Sequence, residues 1–378
     1  MATLLSDAEV AERVLAHIRD KTTDRSQQVW SEPVTNYRSP DRFAREMQLL
    51  RSLPVPYCPS AALDKPGAYV ARVAAGTPLL VVRGEDGRVR AFRNACRHRG
   101  MPLADGVGCS RAFVCRYHGW TYQLDGRLRH IPDADGFGDF DKDGHPLVQV
   151  EAEERLGLVF VRQQATAAAA DDADDPWAGL PELAPSRLRL MDVRHLDVDA
   201  NWKIFLEGFL EGYHIRSTHR DSFYPYGFDN LNVIEHCGRN SRVTFPFRRI
   251  EKLADVPPNQ RKIDGLVTYV YQLFPNTLFT VLSHHSALLV LEPVAMDRTR
   301  LTTYVLADVG DDPESLEAFR RDTKFVDEAG GAEDREVVAA IQSSIASEAN
   351  ECFTFGRFEG AISHFHQSLR DALAQLKP

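Results

Sequence analysis

Cys96-Arg97-His98 and Cys115-Arg116-Tyr117-His118 constrain this chain more than any other feature. Each segment pairs a thiolate donor with an imidazole donor at a spacing that one loop can bring to one metal centre. The C-x-H…C-x2-H order matches a [2Fe–2S] cluster in which two Cys hold one iron and two His hold the other, which raises the reduction potential above that of an all-Cys cluster. A structural zinc site is the rival reading, although zinc spacings group Cys with Cys and His with His. Four loop residues without a common site is the plainest one. Gly100, Gly106, Gly108 and Gly119 crowd the two loops and Pro102 stiffens the first. Glycine permits backbone N–H groups to approach the sulfurs and supplies positive φ where a turn requires it. Trp120 and Tyr122 follow in strand-like alternation, placed to shield the centre.

With 378 residues the chain has room for two or three domains. Its 43% hydrophobic and 26% charged residues are those of an ordinary globular protein. A formal net charge of −9 with no basic run argues against a nucleic-acid or anionic-membrane surface. No apolar run is long enough for a membrane span. The start, Met1-Ala-Thr-Leu-Leu-Ser-Asp7, lacks the basic and apolar regions of a secretory signal. Cys58, Cys109, Cys237 and Cys352 share no spacing and read as reduced, mostly buried thiols. The expected compartment is the cytoplasm.

Ser6-Asp-Ala-Glu9 is a capping box, which with Val10, Val14, Leu15 and Ile18 predicts a helix over 7–20. Ser39-Pro40 starts a second helix, buried through Phe43, Met47 and Leu50 and stopped by Pro54, Pro56 and Pro59. Strand patterns dominate from about 67 to 162, joined by turns at Glu85-Asp-Gly87 and Asp125-Gly126. An Ala/Asp stretch, 164–175, reads as linker. Beyond it, 189–198, 241–250, 266–274, 277–283, 286–293 and 300–308 read as strands of an antiparallel sheet. Helices are expected at 201–216, 313–327, 333–347 and 359–376. A curved antiparallel sheet around a long helix would enclose a cavity.

In the segment Asn201-Trp-Lys to His219, Glu207, Glu211 and His214 fall at i, i+4 and i+7, on one helical face. The carboxylates sit among Phe205, Leu206, Phe209, Leu210 and Ile215, where an uncompensated charge is costly. His219 lies about 140° off that face, so for both imidazoles to meet one ion the helix must end or bulge, with Ser217 and Thr218 as the expected place. The plain alternative is a solvated helix surface. Further on, Asp334, Val337, Ile341 and Ile345 share a face, and Asp334 occupies a first turn, where a carboxylate is favoured. Glu333 and Glu336 lie on other faces and read as solvated. Strand alternation groups Tyr269, Tyr271 and Leu273. With Phe205, Phe209, Tyr213, Phe279, His284 and His285 these tyrosines are candidates for the wall of a substrate pocket, a dry site suited to an aromatic ring or to a methylammonium group held by cation–π contacts.

The residues C-R-H-R-G and C-x-Y-H-G-W-x-Y-x-x-x-G, with N-W-K…E-G-F-x-E-G-Y-H-x-x-x-x-H and F-P-N, resemble the terminal oxygenase α subunits of the Rieske non-haem iron, or ring-hydroxylating, oxygenases. The resemblance covers nearly the whole chain. It implies an α+β protein: an all-β Rieske domain (45–162), a linker (163–176) and a helix-grip catalytic domain with a curved antiparallel sheet (177–378), on which residues 1–44 pack. By it, Cys96, His98, Cys115 and His118 hold the cluster, and His214, His219 and Asp334 hold a mononuclear Fe(II), Asp334 standing eight residues before Gln342 as the family's ligand does. Glu211 takes the place of the family's Asp, the carboxylate that links an iron ligand to a cluster histidine of the neighbouring subunit. Members acting on quaternary ammonium compounds often carry Glu there. Gly208 stands where Asn is usual, leaving space near the iron.

The implied activity is hydroxylation of a ring or C–H bond, or oxidative demethylation, using O2. Electrons come from NAD(P)H through a separate reductase or ferredoxin, because no dinucleotide fingerprint is visible. The implied assembly is a homotrimer. Two other functions fit parts of the pattern: a cluster-bearing electron carrier or redox sensor, and a helix-grip ligand-binding protein with an idle iron site.

Overall fold

The computed structural model describes residues 3–164, 175–310 and 312–376. Most of the expected linker, 165–174, lies outside the described residues. The chain divides into two compact units. One comprises Met1–Leu49, Asp171–Pro181 and Arg187–Pro378; the other comprises Leu50–Ala170 and Glu182–Ser186.

The smaller unit is built of antiparallel strands. Seven pair in the order Val55–Pro59, Leu158–Arg162, Gln149–Arg155, Val89–Arg93, Thr77–Arg83, Ala68–Ala74, Gly106–Cys109. A second sheet joins Phe113–Val114, Thr121–Tyr122 and Leu128–His130. Between them lies a core of Leu80, Val82, Phe92, Phe113, Trp120 and Tyr122 that also holds Cys96 and Cys115. The return of 182–186 to this unit is invisible in the sequence pattern. The amides of Leu183 and Ala184 both donate to Leu156 O at 3.1 Å. The Ala184 carbonyl lies 1.7 Å from where a Cβ on Gly157 would be, an approach only glycine allows.

The larger unit carries a seven-stranded antiparallel sheet in the order Arg189–Val198, Arg298–Ala307, Ser286–Ala295, Thr277–Val281, Val267–Leu273, Asn240–Pro246, Val233–Cys237. The helix Trp202–Gly208 is buried from Trp202 to Glu207. Asn201 caps it, its side chain accepting from Lys203 N and donating to Tyr37 O and Met296 O. Lys203, fully buried, meets both oxygens of Glu46 at 3.0 and 2.9 Å. The helix Asp7–Asp20 has its expected capping box. Among the described residues no helix is long and apolar enough to cross a membrane.

The expected continuous helix over 201–216 is not formed. It ends at Gly208, the chain turns through 209–214, and a short helix, Ile215–Thr218, precedes His219. The glycines explain the break: Gly208 is a poor helix former, and at Gly212 a Cβ would stand 2.6 Å from Asn232 Oδ1. The expected helices at 313–327 and 333–347 are one run, Pro313–Phe325 and Gly331–Ser344 joined by a π-type turn over Val326–Gly330. Of the stripe expected with Asp334, Val337 and Ile341 are 39% and 38% exposed and only Ile345 is buried, so the stripe meets the core at its end alone.

Candidate metal centres and substrate cavity

In the smaller unit the two Cys/His loops are built alike. Cys96 N donates to Met101 O and Gly100 N to Cys96 O; Cys115 N donates to Trp120 O and Gly119 N to Cys115 O, all at 2.8–2.9 Å. The same step in each loop needs positive φ, met by Gly100 (+77°) and Gly119 (+74°). The His98 and His118 rings stand 4.6 Å apart. Trp120 stacks on His98 at 5.0 Å, and the Tyr122 hydroxyl lies 3.4 Å from Cys96 Sγ while accepting from Arg97 N. Tyr117 stacks on His118, which is solvent-exposed.

These residues fit a cluster. Both thiols are buried, and burial raises the Cys115 pKa, so its thiolate needs a cationic partner. His98 Nδ1 is buried without a hydrogen-bond partner, the mark of a nitrogen reserved for a ligand.

In the larger unit His214, His219 and Asp334 bring one ligand atom each to within 4.8 Å of one another. His219 Nε2 lies 2.9 Å and His214 Nε2 3.7 Å from Asp334 Oδ1. Two neutral imidazoles and a carboxylate suit a divalent transition metal with open positions. Glu211 Oε1 bonds His214 Nδ1, and its Oε2 accepts from His214 N at 3.1 Å and from Tyr213 N. The turn at 209–214, rather than one helical face, makes this contact. Burial opposes the charge on His214, but Glu211 and Asp334 outweigh it and raise its pKa; Asp334 and Glu333 do the same against burial for His219.

Glu333 corrects the sequence reading. Although its side chain is 35% exposed, it is not a free surface acid: its Oε2 bonds His219 Nδ1 at 2.7 Å and accepts from Ser222 Oγ at 2.5 Å. Nothing in the local pattern distinguishes it from Glu336, because its partners lie over a hundred residues away. In the sequence Gln342 stands out only by its spacing from Asp334. Its Oε1 accepts from Asn201 N at 2.8 Å, tying the helix that carries Asp334 to the one that leads to His214.

The three ligands line a cavity of about 930 Å³. Of the expected wall residues Phe205, Phe209, His284 and His285 line it; Tyr213, Tyr269, Tyr271 and Phe279 do not. On their strands the lining residues are Thr268, Val270 and Thr280. Alternation placed the tyrosines together correctly but on the wrong side: the Tyr269 hydroxyl donates to Asp7 Oδ1 of the N-terminal helix, and Tyr271 pairs across strands with Phe279 on that far face. Gly208 also lines the cavity, and a Cβ there would meet nothing within 4 Å.

Residues 185–375 match the family model for the catalytic domain of the ring-hydroxylating α subunit, and 54–150 match that for the Rieske [2Fe–2S] domain. The carnitine monooxygenase oxygenase subunit of Acinetobacter pittii (strain PHEA-2) is 26% identical over 298 residues, 72% of this chain and 79% of that protein. The glycine betaine monooxygenase oxygenase subunit of Chromohalobacter salexigens is 34% identical over 214 residues, 54% of this chain and 47% of that protein. Among solved structures, a quaternary ammonium Rieske monooxygenase superposes with a TM-score of 0.78 at 21% identity, covering 99% of this chain and 100% of that one. Naphthalene 1,2-dioxygenase from Rhodococcus sp. gives 0.75 at 18% identity, with coverage of 99% and 100%. At these identities the structural likeness speaks for the fold.

Proposed function

The chain belongs to the ring-hydroxylating α subunits of the Rieske oxygenases, and from that premise we propose how its residues share the work of a terminal oxygenase. Such an enzyme uses O2, a [2Fe–2S] cluster and a mononuclear iron to oxidise a small organic substrate. We assign the cluster to Cys96, His98, Cys115 and His118, and the iron to His214, His219 and Asp334. When bound, the cluster supplies single electrons and the iron a site of O2 activation. Glu211 and Glu333 stand against the two Nδ1 atoms, an arrangement in which each Nε2 would be left free to hold the ion. The apolar wall around Phe205 and Phe209 orients the substrate and excludes water. The observation that carries this reading is the convergence of two imidazoles and one carboxylate on a substrate-sized cavity, in a chain whose other unit presents two matched Cys/His loops.

The relatives point to two substrate classes, quaternary ammonium compounds and aromatic compounds. Hydroxylation of a ring or C–H bond, or of an N- or O-methyl that is then lost, covers both. A separate NAD(P)H-dependent reductase or ferredoxin supplies electrons. One related solved structure is described with inter-subunit electron transfer. In this chain the corresponding assembly is a homotrimer, with Glu211 facing His118 of the partner subunit. A reducing cytoplasm suits the free thiols.

Two measurements test this: iron beyond that of the cluster in the purified chain, and substrate-stimulated NADH and O2 consumption with a generic reductase across quaternary amines and aromatic acids. Iron confined to the cluster would leave an electron carrier. A loaded centre with no turnover on any compound would leave an idle ligand-binding fold. Either outcome sinks the oxygenase reading.

A further inference from the structure

The helix Pro313–Phe325 is thinly held. Of its thirteen residues only Thr323 is buried. The helix Gly360–Gln375, by contrast, buries Ala361, Ile362, Phe365, Leu369, Ala372 and Leu373. The missing packing has a direction. Ala318, Asp322 and Phe325 fall at i, i+4 and i+7, on one helical face, and all three line the cavity. The face that a helix normally sets on a core looks here into the cavity. At its end, Phe325 and the facing Tyr226 line the cavity yet are 37% and 59% exposed, so they stand at its mouth. Their rings meet edge-on at 5.7 Å.

A few contacts fasten this helix. Asp322 Oδ2 accepts from His284 N at 3.1 Å and bonds His285 Nδ1 at 2.8 Å, on the turn between the strands Thr277–Val281 and Ser286–Ala295. Asp327, just past the helix, pairs with Arg194 of the strand Arg189–Val198, whose Nε also meets Asp192 Oδ2 at 2.6 Å. Phe325 rests on Phe223 at 5.4 Å. The helix then runs into the π-type turn Val326–Gly330, a break in the regular α-helical ladder. The following helix, Gly331–Ser344, also buries little, but Gln342 ties it to Asn201, and Glu333 and Asp334 tie it to His219. The irregular turn therefore separates a tethered helix from one held by two acidic latches. A segment with little buried apolar surface and few anchors opens at low free-energy cost, apart from global unfolding. A molecule in the cavity supplies the packing that the inner face lacks, so occupancy favours the closed position.

We propose that the helix Pro313–Phe325 is a lid over the cavity. It opens about the turn Val326–Gly330 and admits substrate past Tyr226 and Phe325. Asp322, on His284 and His285, and Asp327, on Arg194, latch it shut. Such closure commits the substrate and excludes water. The lid goes beyond the oxygenase reading and holds for whichever compound is oxidised.

Hydrogen–deuterium exchange on the assembled holoenzyme tests this in wild type, Asp322→Ala and Arg194→Gln. The amides of 316–325 should exchange at least about tenfold faster than those of the strands Ser286–Ala295 and Arg298–Ala307. Each variant should speed exchange of the helix about fivefold or more and leave the strands within about twofold, which also shows that the variant is folded. Access to the cavity is read by the rate at which 2,2′-bipyridine removes the mononuclear metal, Fe(II) or Co(II) loaded in its place. That rate should rise with the exchange rate of the helix. The lid is overturned if 316–325 is as protected as the strands, as it would be beneath a partner subunit. It is equally overturned if neither variant speeds the helix more than about twofold, or if exchange rises while metal removal does not. Should no metal bind at His214, His219 and Asp334, the oxygenase reading fails, and the exchange results alone still decide the lid.

Discussion

Replacing Glu333 by Ala removes the acceptor that stands 2.7 Å from His219 Nδ1. The His219 side chain is 1% exposed, so water cannot easily take over the bond. An unpaired buried N–H costs about 1–3 kcal/mol. At about 1.4 kcal/mol per decade this weakens metal binding roughly 5- to 150-fold, if the cost falls on the orientation that presents Nε2 to the ion. That range brackets the ~10–100-fold loss common when a carboxylate behind a metal-bound histidine is removed. Glu333→Gln retains an acceptor oxygen and should lose less than about tenfold. The assay is anaerobic Fe(II) titration against a competing chelator, with cluster absorbance as the internal reference because the cluster loops belong to the other unit. Asp334→Ala, which deletes a ligand, sets the floor. An iron affinity for Glu333→Ala within twofold of wild type would refute the reasoning, since Glu333 would then be an ordinary surface acid that happens to touch His219.

Three further outcomes are expected. Glu211→Gln should leave both centres loaded and the cluster reducible while product formation, measured with a reductase, falls by orders of magnitude; near-normal turnover would remove the bridge assignment. Lys203→Met strands the Glu46 carboxylate, 1% exposed, with Arg42 and Trp202 as its remaining partners among the described residues, and should cost about 3 kcal/mol in urea denaturation, the low end for breaking a buried pair. Burial, then the stacked His364 ring at 4.0 Å, lowers the His236 pKa from 6.5 to about 4. The folded state therefore resists a proton that the unfolded state accepts. This contribution is full above pH 6.5 and is lost as pH falls towards 4, by no more than about 1 kcal/mol because the residue is partly open to solvent. His236→Gln should flatten thermal midpoints over that window.

The cluster loops were legible because their determinants are local: ligands and the glycines that shape each loop are neighbours in sequence, and each loop closes on itself through its own backbone bonds. The identity of His214, His219 and Asp334 as a set was legible only through likeness to a family, since the segments that bring them together are more than a hundred residues apart. The break after Gly208 was missed because apolar and acidic residues kept helical spacing through 209–214, whereas two glycines and the close approach of Asn232 decide the turn.

By itself, then, the sequence determined the donor types, their pairing, the two-unit composition and the antiparallel strand pattern. Period-two alternation says which residues share a face of a strand but not which face turns inward. Tertiary packing decided that: the N-terminal helix claimed Tyr269, and the cavity received Thr268, Val270 and Thr280 instead. It likewise decided that Glu333 holds His219, that Gln342 anchors Asn201, and that Asp322 turns His285 towards the cavity. Each is a contact between distant segments, where direction depends on how elements pack and not on the residues beside them.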